Sequence, residues 1–529
     1  MFAIAIWDER RQRLLLARDR LGKKPLLYAL TDHSITFGSE INAVLKDATV
    51  PRALDLEALD LYLALLYVPS PWTMFQGIRK LPPAHYLLWE RGQLQIKRYW
   101  DVQFAPAECY TEASAAEEIR ELLEDSVRRR LISDVPLGAF LSGGIDSSAI
   151  VALMAKITGR PVRTFSIGFD DDAYGELPYA REIATRFETE HHELLVQPKM
   201  VEILPHLVRH YGEPFGDSSA VPTYYVSQLA SQSVKVALSG DGGDEVFGGY
   251  PWYVDAGRHG DLANAYIRNG VQAAHAAWRK GQLRPILGAV KGAAIGLGRA
   301  WRGWQDEMQA YERLITFFGT GQRARLYTND TRRALLARQL PSQLIRALFS
   351  QQNGSDFLNR MFYTDHHLYL PDDILVKVDI ASMANSLEVR SPFLDYRLVE
   401  LSAKLPPAMK VQGTATKHIL RKVLADLLPE SILNRSKVGF GIPVDRWMRG
   451  ELYPMARDLL QDQTARARGL FKPQVIEKML AHHKESLTAH GSQLWLLLFF
   501  ELWCREFLDP APELKTSSSG PLFRLANQD

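Results

Sequence analysis

Residues 136–148 read Pro-Leu-Gly-Ala-Phe-Leu-Ser-Gly-Gly-Ile-Asp-Ser-Ser, and no other stretch restricts the fold as tightly. Leu137 to Leu141 is a short apolar run, suited to a strand buried on both faces. Ser142, Gly143 and Gly144 break it, and from Ile145 onward the apolar residues recur at helical spacing. A strand that turns through Ser/Gly into a helix N-terminus makes an anion site. Backbone N–H groups and the positive end of the helix dipole converge there, and glycine lets a phosphate come close. The loop has no Gly-Lys-Ser/Thr, so it is not the type that grips β- and γ-phosphates with a lysine. The hydroxyls of Ser142, Ser147 and Ser148 and the carboxylate of Asp146 stand in that lysine's place. A carboxylate beside a phosphate calls for a cation between them, and Mg2+ is the usual one. The alternative is an ordinary βα turn with a Ser or Asp helix cap.

Beyond the loop helix, strands and helices keep alternating. Arg163–Phe169 reads as a strand, 176–188 as a helix, 191–196 as a strand, 221–231 as a helix and 234–239 as a buried strand. Such alternation predicts an α/β fold with a doubly wound parallel sheet, whose ligands sit beyond the strand carboxyl ends. Three of those ends carry Ser142-Gly-Gly, Ser166-Ile-Gly and Ser239-Gly-Asp-Gly-Gly-Asp-Glu. In the third, Asp241, Asp244 and Glu245 crowd three carboxylates into five residues, where unpaired they would repel one another and raise their own pKa values. Either this is a solvated acidic turn, or it joins the anion loop in a Mg2+ site.

Residues 1–104 read as strands and turns with one helix, 56–66, and Phe2–Trp7 as a buried strand. Residues 105–115 read as a linker and 115–131 as a charged amphipathic helix leading into the loop. Residues 255–355 read as helical without evident chemistry, 116–509 as one large domain, and 510–529 as a disordered tail. Asp373 and Lys377 fall at i, i+4, where a surface ion pair is the plain expectation. With Lys+Arg of 63 against Asp+Glu of 61, the net charge of +2 argues against a nucleic-acid partner. Two cysteines, Cys109 and Cys504, cannot make a disulfide framework, which fits a reducing cytoplasm. Met1–Trp7 is too short for a signal sequence and is followed at once by Asp8-Glu-Arg-Arg, and no uncharged apolar run is long enough to cross a membrane.

Ser142-Gly-Gly-Ile-Asp-Ser-Ser148 resembles the pyrophosphate loop (PP-loop) of ATP pyrophosphatases that adenylate their substrates. The chain around it resembles the glutamine-dependent asparagine synthetase family. The matching stretches are Arg18–Tyr28, Phe37–Glu40, Leu81–His85, Tyr99–Asp101, Ser239–Glu245, Asp372–Asp379, Ser382–Asp395, Lys417–Arg421 and Arg435–Pro443. The resemblance implies ATP-dependent amide formation through an acyl-adenylate, with L-aspartate and ammonia as the simplest substrates. Another carboxylate substrate and an inactive assembly subunit are the rival readings.

By the same resemblance ATP and Mg2+ are required. Asp146 and Asp244 would hold the metal, and Asp241 would sit near the acyl-adenylate. Leu141, Ile167, Ser239 and Gly240 would line the adenosine pocket, Ser142, Gly143, Gly144, Ser147 and Ser148 would take the pyrophosphate, and Lys377 would assist ATP binding. Lys437 would face the leaving pyrophosphate, and Glu388, Arg390 and Asp395 would frame the substrate pocket, Glu388 in a catalytic role. Residues 1–104 resemble the later half of an α+β glutaminase domain of the N-terminal-nucleophile type. The family's N-terminal cysteine is not seen ahead of Met1-Phe2. The expectation is therefore ammonia use, with a separate glutaminase subunit or a second copy of the chain as partners.

Overall fold

The computed structural model describes residues 1–31, 34–107, 109–169, 175–196, 199–254, 307–336, 338–351, 356–435 and 439–509. The proposed tail, 510–529, and the first half of the helical stretch, up to 306, lie outside these residues; the described part, 307–351, is largely helical.

The first hundred residues form two antiparallel sheets. The larger has the order β1 (Ala3–Asp8), β2 (Arg13–Arg18), β6 (His85–Glu90), β7 (Gln93–Arg98). The smaller places β3 (Leu27–Leu30) between β4 (Ile35–Gly38) and β5 (Ile78–Lys80). Alternation decides which face is covered: Leu14, Leu16 and Leu87 point from the larger sheet into a core with Leu26, Tyr28 and Leu81. The expectation of a buried first strand fails. β1 stands at the end of the sheet order and is hydrogen-bonded to β2, and among the described residues Ile4, Ile6 and Trp7 remain exposed, Ile6 at 53%. An apolar hexapeptide has strand propensity whether or not anything covers it.

The second sheet is all parallel, in the order β10 (Glu190–Val196), β9 (Arg163–Phe169), β8 (Leu137–Phe140), β11 (Val236–Leu238), β12 (Glu388–Arg390). The doubly wound reading holds, with β8 near the middle and the helices Ile145–Thr158, Leu177–Arg186 and Ala220–Ser231 as crossovers. The fifth strand, β12, is only three residues long and exists by pairing with β11. The helix that leads into β8 starts at Glu112, inside the stretch read as a linker. Thr111 caps it by accepting from the Ser114 N–H, and the Ser114 hydroxyl accepts from the Thr111 N–H in return.

One hydrophobic core runs through both halves. Leu59, Tyr62 and Phe75 from the first hundred residues share it with Leu153, Phe247, Leu394, Trp495 and Trp503. The helix Gly491–Phe507 holds the densest apolar run and threads this core. Its Trp495 and Trp503 Nε1 atoms donate to the carbonyls of Gly216 and Gly212 at 3.0 and 2.9 Å. No described helix is long and apolar enough to cross a membrane. Inside the core lies a charged contact between the halves. The Arg323 guanidinium meets Asp60 at 2.8 Å with both side chains at most 2% exposed, and the Tyr327 hydroxyl donates to the same Asp60 oxygen at 2.8 Å. Removing one partner leaves the other charged and dry. Asp60→Ala is therefore expected to cost about 3–5 kcal/mol in urea unfolding, and a loss below about 1 kcal/mol would show that Arg323 finds water or another anion.

Candidate active site

The carboxyl ends of β8, β9 and β11 open onto one cavity of about 380 Å³. At the end of β8 the chain turns through Ser142-Gly143-Gly144 into the helix Ile145–Thr158. Gly143 takes φ +69°, and a Cβ there would lie 2.5–2.6 Å from Tyr179 and the Ala180 nitrogen, so only glycine fits. Gly144 is the N-cap and has no side chain to offer, so the Ser/Asp cap alternative is not what the turn uses. The serines brace the loop instead. Ser142 N–H donates to Ser147 Oγ at 3.2 Å, and the two hydroxyls lie 3.0 Å apart. Arg435 closes the outer side, donating to the Ser142 carbonyl at 3.3 Å with its guanidinium 4.1 Å above the Tyr179 ring.

The acidic loop after β11 packs straight onto this turn. A Cβ on Gly243 would sit 2.5 Å from Asp146 Oδ1, so the two loops meet at van der Waals distance. That contact brings Asp146 and Asp244 to one point, and Lys417 lies between them: its ammonium contacts Asp146 Oδ2 and reaches Asp244 Oδ1 at 2.6 Å. An ammonium held by both carboxylates is a stand-in for a cation, so the donor set suits a hard divalent ion such as Mg2+. Among the described residues no group of three or more His, Cys, Asp or Glu side chains is arranged for a metal. Two carboxylates with phosphate and water in the other positions is how Mg2+ is commonly held.

A second charged group stands across the cavity. Lys377, on the helix Leu375–Met383, is not on the surface but 8% exposed, and it pairs with Asp217 at 3.0 Å. The expected surface pair with Asp373 is thus corrected. Tertiary packing buries that helix face and supplies an acid 160 residues away. Burial would lower the Lys377 ammonium, but Asp217, Asp373 and Asp241 together hold it above its ordinary value. Burial raises Asp217, yet Lys377 and the Ser219 hydrogen bonds bring it below the usual carboxylate range. Asp373, buried and facing the Asp217 charge, is pushed well above that range. Tyr250, Tyr369 and Val378 continue the wall.

Of the residues singled out from sequence, Leu141, Ser142, Gly144, Asp146, Ser147, Ile167, Ser239, Gly240, Asp241, Asp244 and Lys377 line the cavity. Gly143 and the fully buried Ser148 back the loop without lining it. Glu388 is set apart. It begins β12, level with Val236 and so at the far end of the sheet from the loops, and it forms a 2.7 Å ion pair with Arg390. Its expected catalytic role has no geometric basis, because the amino end of a parallel strand lies opposite the ligand edge. Lys437 lies outside the described residues. Sequence reasoning missed Asp217 altogether, and it gave Lys417 no role beyond a motif match. Asp217-Ser-Ser looks like a helix-start turn, and nothing local signals its distant lysine.

Comparison with known proteins agrees with this geometry. The family described as asparagine synthase matches residues 118–505, and a glutamine amidotransferase domain matches residues 1–100. An asparagine synthetase (glutamine-hydrolyzing) of Bacillus subtilis is 31% identical over 509 residues, covering 95% of this chain and 77% of its own length. A putative asparagine synthetase (glutamine-hydrolyzing) of Mycobacterium tuberculosis is 32% identical over 524 residues, with coverage of 96% and 77%. Amidase chry2 of Gibberella zeae is 24% identical over 493 residues, with coverage of 87% and 72%. With a parallel sheet, a Ser/Gly anion loop and paired carboxylates on its ligand edge, and a family match over most of its length, the chain belongs to the asparagine synthase family.

Proposed function

We propose that this chain uses ATP to convert a carboxylate into an amide, with the side chain of L-aspartate as the first substrate to test and ammonia as the nitrogen source. The observation that carries the reading is the meeting of Asp146 and Asp244 around one cation at the anion loop. A carboxylate oxygen of the substrate attacks the α-phosphorus of ATP, the bond to the β-phosphate breaks, and pyrophosphate leaves along Ser142–Ser148. Ammonia then attacks the acyl carbon, the bond to AMP breaks, and one proton is lost from nitrogen. Asp241, on the cavity wall and within electrostatic reach of Lys377, would take that proton.

Asp146 and Asp244 would hold Mg2+, which when bound supplies charge neutralisation to the polyphosphate. The loop N–H groups and hydroxyls orient the phosphates, Leu141, Ile167, Ser239 and Gly240 bound the adenosine side, and Lys377, locked by Asp217, presents a fixed positive charge to the acceptor. The relative named as an amidase keeps a second reading in view, in which the same activation serves a different carboxylate.

ATP–pyrophosphate exchange across a panel of carboxylates tests the reading. Exchange is expected to depend on L-aspartate or one other carboxylate, and no exchange with any acid would favour a non-catalytic subunit. In the same assay, Asp146→Asn and Asp244→Asn are each expected to lower the rate by at least ~100-fold, as for other lost charge stabilisation at a reacting centre. Near wild-type rates in both would remove the metal assignment. Lys437, assigned by resemblance alone, is expected to act in the transition state. Lys437→Ala should lower kcat by more than it raises the KM for ATP, and a change confined to KM would make it a binding residue.

A further inference from the structure

Lys417 occupies the point at which a divalent cation would sit, and several features hold it there. It is 4% exposed, and its backbone takes φ +54°, ψ 34°, a left-handed conformation that a lysine adopts only against a steric cost. Such strain persists where the surroundings impose it, and it concentrates at functional positions. Gly249 makes room for the side chain. A Cβ there would come 2.3 Å from Lys417 Cε and into the Asp244 carboxylate. The lysine also opens the helix His418–Val423, whose Arg421 N–H bonds back to the Lys417 carbonyl at 2.9 Å, so the backbone position is tied to a regular element. Both of its carboxylate partners are themselves fixed, in the first turns of the helices that come after β8 and β11.

Charge makes this arrangement exclusive. The Lys417 ammonium offsets part of the negative charge that would draw in a divalent cation, and it blocks the space between the two carboxylates. A dication arriving alone must expel Lys417 from a buried charge-assisted pair. A dication arriving with a nucleotide brings phosphate oxygens that offer the displaced ammonium a new anion in the same cavity, which Lys417 already lines.

We propose that Lys417 is a built-in place-holder for the metal. It bridges Asp146 and Asp244 while the site is free of nucleotide, and yields them only to a metal–nucleotide complex, so that the enzyme does not load bare metal. This rests on reading the cavity as a metal–nucleotide site and adds to it the order in which the cations exchange.

The test is Mn2+ binding to the full chain, followed by the electron paramagnetic resonance of free Mn2+, together with thermal melting. In the absence of nucleotide, Lys417→Met is expected to bind Mn2+ at least about tenfold more tightly than wild type, the effect of removing one like charge from the site. Its melting temperature should fall in EDTA and recover with Mn2+, while Lys417→Arg should bind as weakly as wild type. Equal Mn2+ affinity in wild type and Lys417→Met would overturn the proposal. Should Lys417→Met not fold, wild type alone decides. Mn2+ by itself is expected to leave its melting temperature unchanged, whereas Mn2+ with the non-cleavable α,β-methylene analogue of ATP should raise it. An equal rise with Mn2+ alone would overturn the place-holder role but keep the nucleotide site. No response to the Mn2+–analogue complex would overturn both.

Discussion

Two carboxylates reach one point from the ends of neighbouring strands, and the Lys417 ammonium lies between them. Asp146 and Asp244 are 98 positions apart in sequence and belong to different loops, so their repulsion opposes the packing of those loops. The Lys417 ammonium turns that opposition into attraction and draws in a third segment, the start of the helix His418–Val423. The ligand edge of the parallel sheet is thereby closed by electrostatics as much as by apolar contact. Across the same cavity a second charged group forms around Lys377. There burial and the Asp217 charge push the Asp373 carboxyl up, while Lys377 pairs with Asp217.

How much of this was legible depends on how local the cause is. The β8 strand, its Ser/Gly turn and the helix after it are dictated by neighbours in sequence. An apolar run ends at residues that cannot continue it, and the next apolar residues recur with helical spacing. Because a parallel sheet presents all its carboxyl ends on one edge, reading the strands was enough to gather Ser142, Ile167, Ser239 and Asp244 at one place. Partners were not legible. Lys417 finds Asp146 across 271 residues and Lys377 finds Asp217 across 160, and no local pattern announces either choice. β12 escaped for a different reason. Glu-Val-Arg is too short and too charged to look like a strand, and only the neighbouring β11 makes it one. Glu388 was misplaced for want of that register.

The core that joins both halves has a consequence for how the chain holds together. Residues matched by the amidotransferase domain and residues matched by the synthase domain do not meet across a thin seam. Tyr62 donates to the Leu496 carbonyl, the Phe75 ring stands edge-on to Trp503 at 5.1 Å, Lys24 pairs with Asp379, and Trp100 donates to Glu400. Arg323, from the part matched by the synthase family, is locked onto Asp60 from the first hundred residues inside the same core. The boundary between the two matched families is therefore not a boundary in the packing, because one apolar core passes through both.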